Sequence, residues 1–454
     1  MTPQHFLGID LGSTTSKAVL IDAAGKVVGQ GLTNTRSNYD VAAQVAKAEA
    51  LSDARLSRLE QALVEGGFAG AVELATALRR TARILASIDR LEALEARCAA
   101  LARAAPDGGA RAEDAVHRLF TRIAGEAEAV FGPLATDRSR FFRDVVGARF
   151  LAEAEAAAAR REVPYEVLVG AWDRAIIEIE NADSGDRLDG LLDRALAGLE
   201  AGSGARRAID QARRDLEQRP IEIGCVVGTG YGRARLPFPK EQIRSEILCH
   251  GLGAHAYFPK TRTVLDIGGQ DTKAIQIDEH GVVTNFQMND RCAAGCGRYL
   301  GYIAEEMNLG IHELGPLALQ ATRPVKISST CTVFAGVELR ERLSLGEKRE
   351  NILLGLHRAI VLRAMSLLAR SGGVTEQLTF TGGVAKNAAV VQELKTLVTK
   401  HYGERTLNTH PGSIFTGALG AALFAERRSR GEAAPVLQKP RAAKAGATSE
   451  ERVP

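Results

Sequence analysis

The chain has 454 residues, 45% of them hydrophobic, and its 58 Lys and Arg nearly balance 55 Asp and Glu, for a net charge of +3. This composition is typical of a soluble protein of two or three domains and gives no indication of nucleic-acid or membrane binding. Six cysteines without dense spacing exclude a disulfide scaffold. We expect no signal peptide and recognise no apolar run long enough to span a bilayer, so we predict a cytoplasmic protein whose thiols are reduced or bound to metal.

The first elements predict a β-hairpin with a tip of small residues. An apolar strand from Phe6 ends in the carboxylate Asp10, and the turn "LGSTTSK" follows it. Second and third strands are expected at residues 18–22 and 27–32. The glycine and hydroxyls at the tip are the residue types that let a backbone approach a ligand closely.

The composition then changes. Residues 41–219 are rich in Ala, Arg, Glu and Leu, and apolar residues recur at helical spacing, as in Leu74, Leu78 and Leu85. We predict an all-helical insert of five to seven helices between residues 1–40 and residues 221–290. Its charged faces are expected to be solvated, with a partner-docking face as the alternative.

After the insert the α/β pattern resumes. A strand at residues 221–227 and a helix at 241–256 lead to residues 263–277, which repeat the opening design of strand, Asp266, glycine turn and strand. We assign residues 221–290 with 1–40 to a first ATPase region and residues 291–430 to a second one. The tail, residues 431–454, is expected to be disordered.

The repeated hairpins indicate a phosphate-binding site. Glycine turns can point several N–H groups at a phosphate, and an aspartate at each strand end can hold hydrated Mg²⁺. A glycine turn alone is most often only a turn, but the duplication, the order and a third glycine site at residues 382–387 together predict an ATP site. The candidate nucleotide-binding residues are Gly12, Ser13, Thr14, Thr15, Lys17, Gly268, Gly269, Gly382, Gly383, Asn387 and Gly417. The candidate catalytic residues are Asp10, Asp266, Gln270 and Asp271, and either of the last two could orient the attacking water.

Two cysteines are candidate metal ligands. Asn289 or Asp290 can cap a helix that would place Cys292 in its first turn, and Cys331 follows "SST" before another helical run. A helix start favours the thiolate, which is the form that binds metal, whereas an isolated cysteine is usually a small buried hydrophobe. An iron–sulfur cubane usually takes four thiolates, so two per chain predict a cluster shared with a second chain. Cys296 could supply a third, but it would lie one turn deeper in the helix.

The order of these sites resembles that of the actin, hexokinase and Hsp70 superfamily, whose duplicated ribonuclease H-like domains close on a nucleotide. This resemblance implies an α/β fold with two such domains and the helical insert. It assigns the first phosphate loop to residues 10–17, the second to residues 266–271 and the adenosine loop to residues 382–387.

A narrower resemblance rests on seven motifs in residues 5–36 and 221–425. They are "GIDLGSTTSKAVLID", "GTGYGR", "DIGGQDTKAI", "NFQMNDRCAAGCGRYL", "ISSTCTVFA", "TGGVAKN" and "TGALGAALFA". Together they resemble the family of 2-hydroxyacyl-CoA dehydratase activators and benzoyl-CoA reductase ATPase subunits. That family implies a 4Fe–4S cluster shared between two subunits, with Cys292 and Cys331 as this chain's ligands, and ATP with Mg²⁺ as the driving cofactors. Cys296 stands where a threonine is usual and is expected to be a packed thiol.

The insert favours one branch of that family, the larger of the two ATPase subunits of class I benzoyl-CoA reductase. The implied partners are a smaller homologous ATPase subunit, two substrate-binding reductase subunits and ferredoxin. The implied function is ATP-driven transfer of low-potential electrons to the subunits that dearomatise benzoyl-CoA. The alternatives are an activator of a 2-hydroxyacyl-CoA dehydratase, a small-molecule kinase and an Hsp70-like scaffold of the same superfamily.

Overall fold

The computed structural model divides into two compact units, Met1–Ile243 and Arg244–Pro454, and each is described by itself. The residues that the structure describes are 5–35, 38–67, 70–126, 130–131, 142–181, 188–199, 202–218, 220–230, 238–289, 295–327 and 332–432. Cys292 and Cys331, Asp290 and the tail beyond residue 432 therefore lie outside them.

The first unit contains a four-stranded sheet in the order β3-β2-β1-β4. The strands are β1 (His5–Leu11), β2 (Thr15–Ile21), β3 (Val27–Asn34) and β4 (Ile223–Gly230). β1, β2 and β3 form an antiparallel meander, and β4 pairs parallel to β1. The chain thus leaves the sheet after β3 and returns to it beside β1.

Seven helices lie between β3 and β4 in the described part of the chain, within the predicted range. They are α1 (Tyr39–Glu65), α2 (Ala71–Arg103), α3 (Ala110–Gly125), α4 (Phe142–Ala159), α5 (Tyr165–Asn181), α6 (Leu188–Gly198) and α7 (Ser203–Gln218). Their main core surrounds Phe150, whose ring stacks on Trp172 with centroids 4.9 Å apart.

The first half of α1 packs on the sheet rather than on the other helices. A Cβ at Gly29 or Gly31 of β3 would lie 2.2 and 2.1 Å from the carbonyl oxygens of Ala50 and Ala46. Only glycine allows so close an approach. The sequence predicts an insert from residue 41, but residues 42–54 cover the apolar face of the first sheet and belong with it by packing.

The second unit repeats the strand pattern in a five-stranded sheet, in the order β7-β6-β5-β8-β9. The strands are β5 (Thr261–Ile267), β6 (Thr272–Ile277), β7 (Val283–Asn289), β8 (Gln377–Thr381) and β9 (Thr406–Thr409). β5, β6 and β7 form the meander, and β8 pairs parallel to β5 as β4 does to β1. Its helices are α8 (Glu246–Tyr257), α9 (Gly297–Glu306), α10 (Ile311–Ala318), α11 (Thr332–Ser344), α12 (Arg349–Ser371), α13 (Ala388–Tyr402) and α14 (Thr416–Ser429).

The predicted fold class, duplicated ribonuclease H-like domains with a large helical insert, is confirmed. The domain boundary of the sequence analysis differs from that of the structure, however. The analysis assigns residues 221–290 to the first region, whereas only β4 of that range joins the first sheet and β5 to β7 belong to the second. The reason is that the second hairpin pairs with β8, which lies more than 100 residues further along the chain.

One helix corrects the expectation about apolar runs. Among the described residues, α12 is long and apolar enough to cross a membrane, with a mean hydropathy of 1.7, but 67% of its apolar window is buried inside the protein. It packs against α13 and the second sheet within the largest hydrophobic cluster. We therefore interpret α12 as the core helix of the second unit.

Candidate nucleotide site and cysteine segments

The first hairpin carries an aspartate and a lysine directly opposite each other. Asp10 of β1 pairs with Lys17 of β2 in the sheet register, and Lys17 Nζ lies 3.4 Å from Asp10 Oδ2. Asp10 is 3% exposed, and its Oδ1 is buried without a hydrogen-bond partner among the described residues. A buried carboxylate oxygen in this state fits a water-coordinated Mg²⁺, because an unsatisfied buried acceptor is costly.

The turn after Asp10 is held by Thr35. The Thr35 hydroxyl donates to the Gly12 carbonyl at 2.5 Å, and the Thr35 N–H donates to the Thr14 carbonyl at 2.9 Å. A Cβ on Gly12 would lie 2.8 Å from the Thr15 carbonyl oxygen and 3.0 Å from Lys17 Nζ. Ser13 and Thr15 are half-buried and Thr14 is exposed, so the predicted hydroxyl contacts remain accessible to a phosphate.

The second hairpin repeats this pair but buries it among further charges. Asp266 of β5 lies opposite Lys273 of β6, with Nζ again 3.4 Å from Oδ2. Lys273 Nζ also lies 2.8 Å from Asp271 Oδ2 and 2.7 Å from Glu246 Oε1 of α8. On the other side, His250 Nδ1 lies 3.3 Å from Asp266 Oδ1. Lys273 is only 1% exposed, so these carboxylates are its solvation.

The charges of this cluster shift its pKa values in opposite directions. Burial by itself would raise the pKa of Asp266, but the charges of His250 and Lys273 and a hydrogen bond from Thr381 hold it well below its usual range. Burial would lower the pKa of Lys273, and the carboxylates around it instead raise it well above its usual range. Burial raises the pKa of Asp271 despite Lys273, because Glu246 and Asp266 add negative charge.

The third glycine site closes over the strand that carries Asp266. Thr381, the last residue of β8, donates its hydroxyl hydrogen to Asp266 Oδ1 at 2.8 Å. Gly382 follows with φ of +86°, and a Cβ there would lie 2.3 Å from the Ile267 carbonyl oxygen. A Cβ on Gly383 would meet nothing within 4 Å, so this residue leaves open space at the turn. Asp266, Asp271 and Gly382 are therefore brought together in one unit.

Two predicted adenosine-side residues have structural roles. Asn387 caps α13, with Oδ1 accepting from the N–H groups of Ala389 and Val390 at 3.0 and 3.3 Å. Its Nδ2 lies 2.9 Å from Nε2 of the buried His357. The Asn387 amide is thus used within the fold. Gly417 is buried in the first turn of α14.

The chain around Cys292 begins its helix later than the sequence predicts. Asn289, a candidate N-cap, is the last residue of β7 and pairs with Thr272. The helix starts at Gly297, with Cys296 as its N-cap, so the prediction of Cys292 in the first turn of this helix is wrong. Cys296 is 1% exposed, as expected for a packed thiol, but it lies at the helix start rather than one turn inside.

The remaining cysteines lie in cores or strands. Cys225 is in β4, Cys249 is buried in α8, and burial raises the pKa of Cys98 in the insert to about 12. Across the ranges that the structure describes, no group of three or more His, Cys, Asp or Glu side chains could hold a metal ion.

The chemistry of the two predicted ligands fits an iron–sulfur cluster. Helix α11 begins at Thr332, so Cys331 directly precedes a helix start, where the dipole favours a thiolate. The segment with Cys292 lies between β7 and α9. Two thiols per chain supply half of the four that a 4Fe–4S cluster usually takes.

Sequence reasoning missed the partners of the second phosphate loop. Glu246, His250 and Thr381 surround Asp266 and Lys273, and His357 holds Asn387. The available signal was the spacing of Glu246 and His250, four residues apart on one face of a helix. A single such pair is common in helices and did not single out this one.

The duplicated hairpins and the buried Asp–Lys pairs define an ATPase of the actin, hexokinase and Hsp70 superfamily. Within that class, the profile of the BadF/BadG/BcrA/BcrD ATPase family matches residues 7–425. The chain belongs to this family.

Several relatives match about half of the chain. The activator of lactoyl-CoA dehydratase from Anaerotignum propionicum is 43% identical over 49% of this chain and 83% of its own. The (R)-2-hydroxyglutaryl-CoA dehydratase activating ATPase from Acidaminococcus fermentans is 39% identical over 50% of this chain and 85% of its own. One of the benzoyl-CoA reductase subunits from Thauera aromatica is 33% identical over 45% of this chain and 71% of its own. The crystal structure of the Acidaminococcus fermentans dehydratase component A aligns with 94% of this chain and 99% of its own, at 23% identity and a TM-score of 0.49.

Proposed function

We propose that this chain is an ATP-hydrolysing electron-activation subunit, which takes low-potential electrons from a ferredoxin and delivers them to a separate enzyme that acts on a CoA thioester. One observation carries the proposal. The carbonyls of Gly268 and Gly269 accept hydrogen bonds from the backbone N–H groups of Gly297 and Arg298, both at 2.8 Å. The second phosphate turn is thereby joined to the first turn of α9, which follows the Cys292 segment.

This connection gives ATP a route to the cysteine. A turn that binds the γ-phosphate through its N–H groups relaxes when that phosphate leaves. Its carbonyls hold the start of α9, so the relaxation would reach residues 290–296. The Thr272 hydroxyl adds a further bond by donating to the Gly295 carbonyl at 2.5 Å. Because ATP shifts an equilibrium only by its differential affinity, hydrolysis would alter the exposure and hydrogen bonding around Cys292.

The proposal includes a second, homologous ATPase chain. When bound between two chains, a 4Fe–4S cluster would carry one electron at a time. α11, which starts next to Cys331, presents Phe334 and Val337 one turn apart, 65% and 52% exposed. Exposed apolar residues of this size mark an interaction surface. Since the two chains would meet at the cluster, we assign this face of α11 to the second ATPase chain.

The test separates hydrolysis from electron delivery. The protein is purified without oxygen together with any chain that co-purifies, and iron, acid-labile sulfide, the EPR spectrum and ATP hydrolysis are measured. About four irons per pair of ATPase chains are expected, with an EPR signal that changes on adding Mg-ATP. Cys331→Ala should lose the iron and electron delivery while still binding nucleotide, and Cys98→Ala serves as the matched control. Iron-free wild-type protein with intact ATP hydrolysis would rule the proposal out.

As the finer assignment, we propose the larger of the two ATPase subunits of a class I benzoyl-CoA reductase. Its support is the resemblance of this chain to that component in length and in the stretch "CAAGCGRYLGYIAEE". The chain would then act with two reductase subunits and a smaller ATPase subunit, and electrons would reach benzoyl-CoA. Benzoyl-CoA-dependent oxidation of a reduced viologen by the assembled complex, coupled to ATP hydrolysis, is the expected result.

A second candidate is the activator of a 2-hydroxyacyl-CoA dehydratase. It is favoured by 43% and 39% identity to two such activators, against 33% to the reductase component. In this case the chain would switch on a dehydratase with catalytic amounts of ATP and electrons and would show no benzoyl-CoA-dependent turnover. Assaying one anaerobic preparation with both acceptor systems therefore decides between the two candidates.

A further inference from the structure

Glu246 is a buried carboxylate that no motif marks. It lies in the first turn of α8, its side chain is 16% exposed, and its Oε1 is 2.7 Å from Lys273 Nζ. This is the shortest of the three carboxylate contacts that Lys273 makes. The first turn of a helix also favours a negative charge, so Glu246 is stabilised by α8 as well as by Lys273.

Lys273 joins Glu246 to the phosphate turn. An ammonium group has three hydrogens to donate, and the three carboxylates of Glu246, Asp271 and Asp266 lie within 2.7, 2.8 and 3.4 Å of it. The ammonium is therefore held in one rotational state. If the contact with Glu246 were lost, Nζ could turn toward Asp266 and leave Asp271 without its partner.

Asp271 is the residue of this chain of contacts that borders the phosphate turn. It directly precedes β6, and its carbonyl accepts the N–H of Gly268 at 2.9 Å. A Cβ on Gly268 would lie 2.8 Å from Asp271 Oδ1, so the carboxylate lies beside the glycine that opens the turn. It is 9% exposed, a degree of burial at which a small displacement of Lys273 changes its direction.

The first hairpin lacks this arrangement. In the matching registers Asp10–Lys17 and Asp266–Lys273, Thr15 occupies the position of Asp271. Among the described residues Lys17 makes a single ion pair, with Asp10, and its side chain is 11% exposed. Lys17 is thus available to a phosphate, whereas Lys273 is committed to protein carboxylates.

We propose that Glu246 is a positioning residue for ATP hydrolysis, acting through Lys273 to fix Asp271 beside the phosphate turn. The inference rests on the ATP-hydrolysing part of the proposed function and assigns the water-orienting role to Asp271 rather than to Gln270. Lys17 and Lys273, though duplicated, then serve different purposes. Lys17 neutralises phosphate charge, and Lys273 orients a carboxylate.

The test is a separation of kcat from KM. Glu246→Gln keeps the shape of the side chain and removes its charge. We expect kcat for Mg-ATP hydrolysis to fall roughly 10- to 100-fold, because a misplaced catalytic group costs that much. KM should change by less than about threefold, since the variant leaves the nucleotide contacts in place. Glu279→Gln, on the exposed turn after β6, is the matched control and should behave as wild type.

Wild-type kcat and KM in folded Glu246→Gln protein would overturn the inference, and so would a rise in KM alone. If this variant does not fold, Glu246→Asp keeps the charge but withdraws the carboxylate by one methylene group, and wild-type kinetics in that variant would equally overturn it. Failure of the proposed function gives a different result. The wild-type protein would then hydrolyse ATP and the Glu246 variant would still be slow, but no electrons would be delivered.

Discussion

At the residue scale, the two Asp–Lys pairs show how identical chemistry acquires different roles. Both pairs lie opposite each other across a hairpin, with Nζ and Oδ2 3.4 Å apart. Asp266 has a hydroxyl, an imidazole and an ammonium around it, whereas Oδ1 of Asp10 is buried without a partner in the described part of the chain. Asp10 is therefore the better candidate for contact with hydrated Mg²⁺.

The first prediction concerns Asp10→Asn. The amide keeps the shape of the carboxylate but removes the charge that would hold Mg²⁺, so ATP hydrolysis should fall by about 100-fold or more at saturating ATP. Initial rates measured over a range of Mg²⁺ concentrations check this. Asp22→Asn, which preserves the side-chain oxygen that caps the β2–β3 turn, should keep the wild-type rate. Undiminished hydrolysis by the Asp10 variant would exclude a role for this residue in metal binding.

The second prediction concerns pH and His357. Burial lowers the pKa of this histidine below its ordinary value of 6.5, although its bond to the Leu353 carbonyl opposes the shift. Nδ1 donates to that carbonyl at 2.7 Å and Nε2 accepts from Asn387, so the folded protein holds the neutral ring. The unfolded chain takes up the proton first as the pH falls. The free energy of unfolding contributed here is therefore complete well above pH 6.5 and is lost below it.

Urea unfolding at several pH values between 8 and 5 measures the effect. We expect His357→Gln to lose part of the acid sensitivity, with a difference in slope of up to about 1.4 kcal/mol per pH unit. His280→Gln, at a fully solvated turn position, should retain the wild-type slope. Parallel curves for the wild type and the His357 variant would show that this ring does not titrate differently in the two states.

At the element scale, the crossing of α8 and α14 positions the helix that carries Glu246 and His250. A Cβ on Gly420 of α14 would lie 1.8 Å from the Cys249 carbonyl oxygen, and one on Gly253 of α8 would lie 2.1 Å from the Thr416 carbonyl oxygen. The helices meet backbone to backbone at these two glycines. The sequence predicts α14 as a small-residue helix, and this close approach is the reason for its composition.

The third prediction is that Gly420→Ala destabilises the protein by about 3 kcal/mol, because the added methyl group meets backbone that must move. Gly301→Ala in α9 is the control. Nothing lies within 4 Å of its Cβ position, so the higher helix propensity of alanine should stabilise the protein by up to about 1 kcal/mol. Denaturant unfolding of both variants gives the comparison. A Gly420 variant as stable as wild type would mean that the two helices can separate at little cost.

At the scale of the whole molecule, the insert is attached to the first sheet through α1. The first half of this helix buries Ala42, Ala46 and Ala50 against the sheet, and its second half packs Leu56 and Leu59 among the other insert helices. One helix thus serves two cores. The boundary between the ATPase fold and the insert lies within α1, near Ala54.

The fourth prediction compares two deletions, each closed with a flexible Gly/Ser linker. Removing residues 56–218 keeps the part of α1 that covers the sheet, so this variant should fold cooperatively and retain ATP hydrolysis. Removing residues 41–219 exposes Leu7, Ile9 and Leu20, which are all at most 2% exposed in the full chain, and should give aggregated or unfolded protein. Circular dichroism and size-exclusion chromatography distinguish the outcomes. Equal folding of both variants would contradict the division of α1.

The amino-acid sequence alone determined the two hairpins, Asp10 and Asp266 at their strand ends, the helical insert and the fold class, because these depend on local periodicity, glycine turns and an internal repeat. Only the tertiary structure decided that the second hairpin begins a new sheet and that α1 belongs partly to the first. It also decided that α9 starts at Gly297 rather than at Cys292, because β7 runs on to Asn289 and the phosphate turn holds the helix start. Glu246 and His250 gain their importance from β5 and β6, which follow them in the chain and fold back against α8. Contacts of this kind join residues 16 to 27 positions apart by packing, and no local pattern encodes them.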